Sequence, residues 1–177
     1  NSQMVLGAFE QRWQDPGRIT PDAGRCWIAL DRVRDPGNLG TIMRTADATG
    51  ARGIILIGDC TDPYSVEAVR ASMGAVFNVE LAQMPEDDFL DLAAGWPGQI
   101  VGTALPASRD YRKVDYAGPL ILLMGNEQAG LTPALMKVSM QLVRMPMMGR
   151  SDSLNLAVAT GVSLYEALRQ RHPPEDG

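Results

Sequence analysis

The 177-residue chain has little of what usually carries enzyme chemistry: one histidine, two cysteines, two lysines and 6% aromatics. The single histidine, His172, stands beside two prolines near the C-terminus, so a Ser-His-Asp triad has no usable base. The run Gly149-Arg150-Ser151-Asp152-Ser153 hints at a nucleophile elbow. It fails the pattern, because Ser153 occupies the place of the second glycine. One histidine and two cysteines leave no transition-metal site, and no metal is expected. Cys26 and Cys60 are too few for a disulfide framework. They read as small residues at the edge of a core, in a protein of a reducing, cytoplasmic compartment. G-x-G-x-x-G and P-loop patterns are absent, so nucleotide-cofactor readings have only the α/β class behind them. No apolar run approaches the ~18 residues of a membrane span, and no basic-then-apolar leader opens the chain, so no membrane partner is expected.

Basic charge is also scarce. The net charge is −5, which counts against a general nucleic-acid binder. The sum hides an acidic stretch of Glu80, Glu86, Asp87, Asp88 and Asp91, without which the rest of the chain is neutral. Three of these acids open a predicted helix, where carboxylates complement the macrodipole. Of the 16 basic residues, only Lys113 and Lys137 are lysine. Arginine offers a planar fork suited to phosphates, and a compositional bias of the genome accounts for the same preference.

What is present is enough apolar residue (45%) for one good core, hence one domain. Short apolar runs at Cys26–Leu30, Gly53–Ile57, Asn78–Leu81, Gln99–Ala104, Leu120–Met124 and Gln141–Met145 read as strands. Between them, helical spacing predicts helices from about Leu39 to Gly50, Ser65 to Ser72, Glu86 to Ala94 and Thr132 to Ser139. A short helix is predicted over Leu6–Trp13, and a polar loop over Pro106–Gly118. From Leu154 onward, Leu154, Val158, Val162, Tyr165 and Leu168 form one apolar stripe on a last helix. The alternation implies an α/β fold with a mostly parallel sheet and helices on both faces.

Three stretches concentrate polar groups at the ends of these strands, where open α/β sheets hold ligands. In Asp35-Pro36-Gly37-Asn38-Leu39-Gly40, Asn38 stands where an N-cap would. Gly40 leaves open surface in front of Arg44, four residues on; from this segment alone, a solvated arginine on an ordinary capped helix is the better reading. In Met124-Gly125-Asn126-Glu127-Gln128-Ala129-Gly130-Leu131, turn geometry explains the glycines. It does not explain Glu127 beside Asn126 directly after a buried strand. The third stretch runs from Met145-Pro146-Met147 to Ser153-Leu154-Asn155.

Taken together these resemble the three signature motifs of the SpoU (TrmH) family of RNA ribose 2′-O-methyltransferases, in the SPOUT class. The match is Asn38-x-Gly40-x-x-x-Arg44, Gly125-Asn126-Glu127-x-x-Gly130-Leu131, and Met145-Pro146-Met147 with Ser153-Leu154-Asn155, extending from about Trp27 to Arg171. Met145 departs from the β-branched residue common there, and Leu156 from valine. The resemblance implies a C-terminal deep trefoil knot, a feature nearly absent from other proteins. It implies S-adenosylmethionine as cofactor, held near Thr103, Gly125, Met145 and Leu154. It implies a homodimer whose last helix carries small residues for close packing (Ala157, Ala159, Gly161). Arg44, Asn38, Glu127, Ser153 and Asn155 are then the catalytic set. Glu127 pairs with the Arg44 guanidinium in this expectation.

Arg44 is often described as the base in such enzymes. An arginine is a poor base at neutral pH, and stabilising a developing alkoxide suits it better. Arg32, Arg34 and Arg150 are candidate RNA contacts alongside it. Some relatives carry an extra N-terminal RNA-binding domain, and Asn1–Phe9 resembles the linker that follows it. Residues 1–24 are accordingly expected to be an extension, 25–172 the catalytic domain and 173–177 a tail. That favours rRNA over tRNA as substrate. The alternative is a non-catalytic RNA-binding module with the same fold.

Overall fold

In the computed structural model, residues 7–22, 24–105, 107 and 109–172 are described. Seven strands alternate with five helices: β1 (Cys26–Asp31), α1 (Pro36–Ala48), β2 (Gly53–Ile57), α2 (Val66–Ser72), β3 (Glu80–Met84), α3 (Glu86–Ala94), β4 (Gln99–Thr103), β5 (Arg109–Asp110), β6 (Leu120–Met124), α4 (Pro133–Val138), β7 (Gln141–Arg144) and α5 (Leu156–Arg171). They form one sheet in the order β3-β2-β1-β6-β4-β7-β5, and every pairing is parallel. The central strands β1, β2 and β6 are buried at every position, because helices cover both faces. One face packs Ile28, Leu30, Ile54, Leu56 and Leu122 against Leu39, Ile42 and Met43 of α1 and Leu164 of α5. The other packs Trp27, Ala29, Ile55 and Ile121 against Phe89 of α3 and Leu135 of α4.

The predicted α/β class and parallel sheet are those observed. Several local expectations change. Residues 7–13 are not helical. Trp13 instead stacks edge-on with Tyr64, and the Gln14 amide bonds the Leu81 carbonyl at 2.7 Å; the start of the predicted helix and the 173–177 tail lie outside the described residues. The third strand begins two residues later than its apolar run. The polar loop after β4 contains a two-residue strand, β5, at the sheet edge.

Helix α1 starts before Asn38. Asp35 is the N-cap, accepting from the Asn38 amide at 2.6 Å, and Pro36 takes the first turn. Proline suits that position because its missing N–H has no intrahelical role there. The stripe assigned to α5 is also wrong-sided. Leu154, Val158 and Tyr165 are exposed, while Leu156, Ala157, Thr160, Ser163, Leu164 and Ala167 face inward. The small residues are selected by the closeness of α5 to α1, which hydrophobicity alone does not register.

Gly40 requires a further correction. It is buried, and a Cβ there would lie 2.4 Å from the Ala71 Cβ and 2.5 Å from the Ala68 carbonyl oxygen. The glycine lets α1 and α2 touch, and it opens no surface in front of Arg44.

Candidate functional site

Because all strands run parallel, β1, β6, β4 and β7 end on one edge of the sheet. A cleft of about 920 Å³ opens there. Its lining includes Asn38 from α1, Thr103 after β4, Gly125 and Glu127 after β6, Met145 after β7, and Ser153, Leu154 and Asn155 before α5. Three loops far apart in sequence meet at this cleft. Met124, Val143 and Leu156 give it an apolar floor.

The loops are joined by side chains. Asn155 Nδ2 donates to Asn38 Oδ1 at 2.9 Å, and Asn38 Nδ2 donates to Glu127 Oε1 at 3.3 Å. Asn155 Oδ1 caps α5 by accepting from the Ala157 and Val158 amides. The cap fixes which end of the Asn155 amide points at Asn38, and the Glu127 carboxylate, an acceptor only, fixes the Asn38 amide in turn. One N–H of each amide and one carboxylate oxygen remain for a ligand. Such an array can orient a pair of vicinal hydroxyls, donating to one oxygen and accepting from the next.

The loop that carries Glu127 is closed on itself. Asn126 and Gly130 exchange backbone hydrogen bonds at 3.2 and 2.9 Å, and Asn126 Oδ1 accepts from the Gln128 and Ala129 amides. A Cβ at Gly125 would meet the Gly130 and Leu131 backbone at 2.5 Å, and Gly130 has φ +68°. Turn geometry therefore accounts for both glycines.

Twelve residues were singled out by sequence, and ten line the cleft: Arg32, Arg34, Asn38, Thr103, Gly125, Glu127, Met145, Ser153, Leu154 and Asn155. Arg44 and Arg150 are exposed and do not line it. Arg44 lies six residues beyond Asn38, about 9 Å along the helix and on another side of it. The expected Glu127–Arg44 pair is therefore not formed within one chain; Glu127 takes Asn38 instead. Arg32 is also committed, its fork closed on the buried Asp31 at 2.7 and 2.9 Å. Arg34 pairs with Asp59 at 2.7 Å, both exposed.

The sequence reading missed Arg144 and Asp35, which also line the cleft. Arg144 had a usable signal. It follows the buried Val143 in strand alternation, immediately before Met145, so it points away from the core. Cys26 and Cys60 take no part in the cleft. Burial pushes both thiols up to about 11, which keeps them protonated and unreactive at neutral pH.

A parallel α/β domain with its polar groups gathered at the carboxyl edge belongs to the ligand-binding α/β proteins. The comparisons narrow this. Residues 25–165 match the model of the SpoU rRNA Methylase family, and the chain belongs to that family. It is 38% identical over 173 residues to a 23S rRNA (uridine-2′-O)-methyltransferase of Streptomyces viridochromogenes, covering 94% of this chain and 60% of that protein. It is 36% identical over 164 residues to an uncharacterized tRNA/rRNA methyltransferase of Synechocystis, covering 92% of this chain and 58% of that one. Among solved structures, the AdoMet-bound rRNA methyltransferase from Sinorhizobium meliloti superposes with a TM-score of 0.89 at 54% identity, over 94% of this chain and 64% of that chain. The chain thus spans about 60% of the length of these relatives.

Proposed function

We propose that this chain is the catalytic part of an S-adenosylmethionine-dependent RNA methyltransferase that modifies a ribose 2′-hydroxyl, with rRNA favoured over tRNA. The observation that carries the reading is the Asn155–Asn38–Glu127 bridge at the rim of the cleft. It joins the three motifs at one point and leaves donors and acceptors suited to a sugar edge. The family membership and the AdoMet-bound relative support the same reading.

The cleft fits the cofactor in size and character. Pockets for ligands of this class run to about 300–1,000 Å³, mostly apolar with a few placed polar groups. Thr103, Gly125, Met145 and Leu154 would hold the cofactor, whose bound form supplies an activated methyl group on a sulfonium. The chain's own work is alignment, which can contribute ~7–11 kcal/mol to a bimolecular transfer. Asn38, Asn155, Glu127 and Ser153 orient the ribose. Arg34, Arg144 and Arg150 face the RNA phosphates, and Arg44 stabilises the developing alkoxide.

Arg44's place outside its own chain's cleft is the one observation that favours a non-catalytic module. A homodimer reconciles it with catalysis. Exposed Leu154, just before α5, with Val158 and Tyr165 on it, supplies apolar surface for a second copy, which would bring its Arg44 to this cleft. Interleaving of β6 and β7 among earlier strands supports reading the C-terminal third as the knotted part of the fold. Residues 25–172 are the catalytic domain on this reading, with 1–24 an extension leading into it. No helix among the described residues is long and apolar enough to cross a membrane. A cytoplasmic site of action is part of the same proposal, and the two free thiols support it.

Titration calorimetry with S-adenosylmethionine, followed by transfer of labelled methyl groups to rRNA and tRNA, tests the proposal. Binding and transfer that maps to a ribose 2′-oxygen are expected. RNA binding with no heat at millimolar cofactor would favour the non-catalytic module.

A further inference from the structure

We propose that Arg32 is a positioning residue for the transfer reaction, holding the Glu127 loop against helix α1; this rests on the methyltransferase reading above. Arg32 follows β1 and adopts φ +49°, a left-handed conformation that non-glycine residues rarely take. Such a conformation persists where the surroundings over-determine it, and here they do.

Three anchors converge on this one residue. Its guanidinium is held by both oxygens of Asp31, a carboxylate whose residue is 1% exposed. The turned backbone presents the Arg32 carbonyl to Asn126 Nδ2 at 2.7 Å. Arg32 Nη2 also donates to the Gly130 carbonyl at 3.3 Å. Asn126 and Gly130 are the two ends of the closed loop that carries Glu127. Arg32 therefore grips both ends, while Glu127 between them meets Asn38. A shift of the loop would part Glu127 from Asn38 and move Gly125, which precedes it.

A guanidinium pinned in this way has little freedom to follow an RNA phosphate. Arg34 and Arg144 line the same cleft, and Arg144 makes no ion pair among the described residues. Phosphate contact falls to them, and alignment to Arg32.

The test uses the full chain and two variants. Arg32→Lys keeps a positive charge beside Asp31 but loses the fork. The double variant Asp31→Asn/Arg32→Met removes both charges together, so no buried carboxylate is left alone. Single-turnover methyl transfer at saturating RNA, S-adenosylmethionine affinity by calorimetry and the salt dependence of RNA binding are measured for each. A misplacement of about 1 Å can slow a reaction ~100-fold, so at least a roughly ten-fold slower transfer is expected in Arg32→Lys. The salt slope of the double variant should match the wild type.

Adding Glu127→Gln to Arg32→Lys should cost far less than Glu127→Gln alone, since both act through one loop. Unchanged transfer, fully multiplicative losses, or a salt slope reduced by about one would each overturn the inference. A wild type that neither binds the cofactor nor transfers methyl groups ends the methyltransferase reading, and this inference with it. A working wild type beside an unaffected Arg32→Lys ends the inference alone.

Discussion

Asn155 uses the two ends of one amide for different purposes, and its variants should separate them. Its oxygen caps α5, and its nitrogen holds Asn38. Asn155→Asp keeps the capping oxygen, so thermal stability should stay within about 0.5 kcal/mol, because Asp and Asn cap almost equally well. It loses the donor to Asn38, and methyl transfer should fall at least about ten-fold, by roughly the 1.4 kcal/mol or more that one good hydrogen bond provides. Asn155→Ala should lose that activity and about 1 kcal/mol of stability as well; a melting curve beside a single-turnover assay distinguishes the two. The thiols give a residue-scale pH prediction. Cys26 and Cys60 are raised to about 11 by burial, from an ordinary value of 9.0. A folded-state value above the unfolded one means full stabilisation below about pH 9, lost as pH rises toward 11. Urea midpoints should fall across that interval, less steeply in Cys26→Ala, and alkylation of the native protein should be slow at pH 8.

Among the elements, α1 is the most constrained. It packs on α2 through Gly40, on the sheet through Leu39, Ile42 and Met43, and on α5 at the cleft. Gly40→Ala places a methyl group 2.4–2.5 Å from the α2 atoms. Overpacking of this kind costs ~1–3 kcal/mol, more than the gain in helix propensity of just under about 1 kcal/mol. A net loss of stability by urea denaturation is expected, and a stabilised variant would mean the helices separate at no cost. Strands were the legible elements. Gly53–Ile57, Leu120–Met124 and Cys26–Leu30 are continuous apolar runs bounded by polar, glycine or proline residues, as a strand buried on both faces requires. Helix faces were less legible. In α5 Val158 and Tyr165 point outward while Ala157, Thr160, Ser163 and Ala167 point in beside Leu156 and Leu164, so large apolar residues stand on both sides and hydrophobic size does not mark the buried one. Residues 7–13 carry an apolar pattern that is used for edge contacts to Tyr64 and Phe77 rather than for a helix.

At the scale of the whole molecule, the proposed homodimer makes a specific prediction for Arg44. If the proposed homodimer supplies Arg44 in trans, chains carrying Arg44→Ala and chains carrying Glu127→Ala should each be inactive alone. Unfolded together and refolded as a mixture, half the dimers are mixed and each of those has one intact site, giving roughly a quarter of wild-type transfer. No recovery on mixing would place both residues in the same chain's site. Sedimentation of Tyr165→Asp should meanwhile show a weakened dimer, because a charge would enter the apolar α5 surface.

The sequence by itself determined the α/β class, the parallel sheet, the three motifs and twelve candidate residues, ten of which line the cleft. Period, burial pattern and spacing are local properties, and a parallel sheet brings its strand ends together wherever they lie in the chain. The tertiary structure alone decided the pairings. Asp35 rather than Asn38 caps α1, Gly40 admits a helix rather than leaving open surface, Glu127 meets Asn38 rather than Arg44, and Arg32 binds Asp31. Which partner a polar side chain takes depends on distances across the sheet edge, and these follow from how closely α1, α2 and α5 pack.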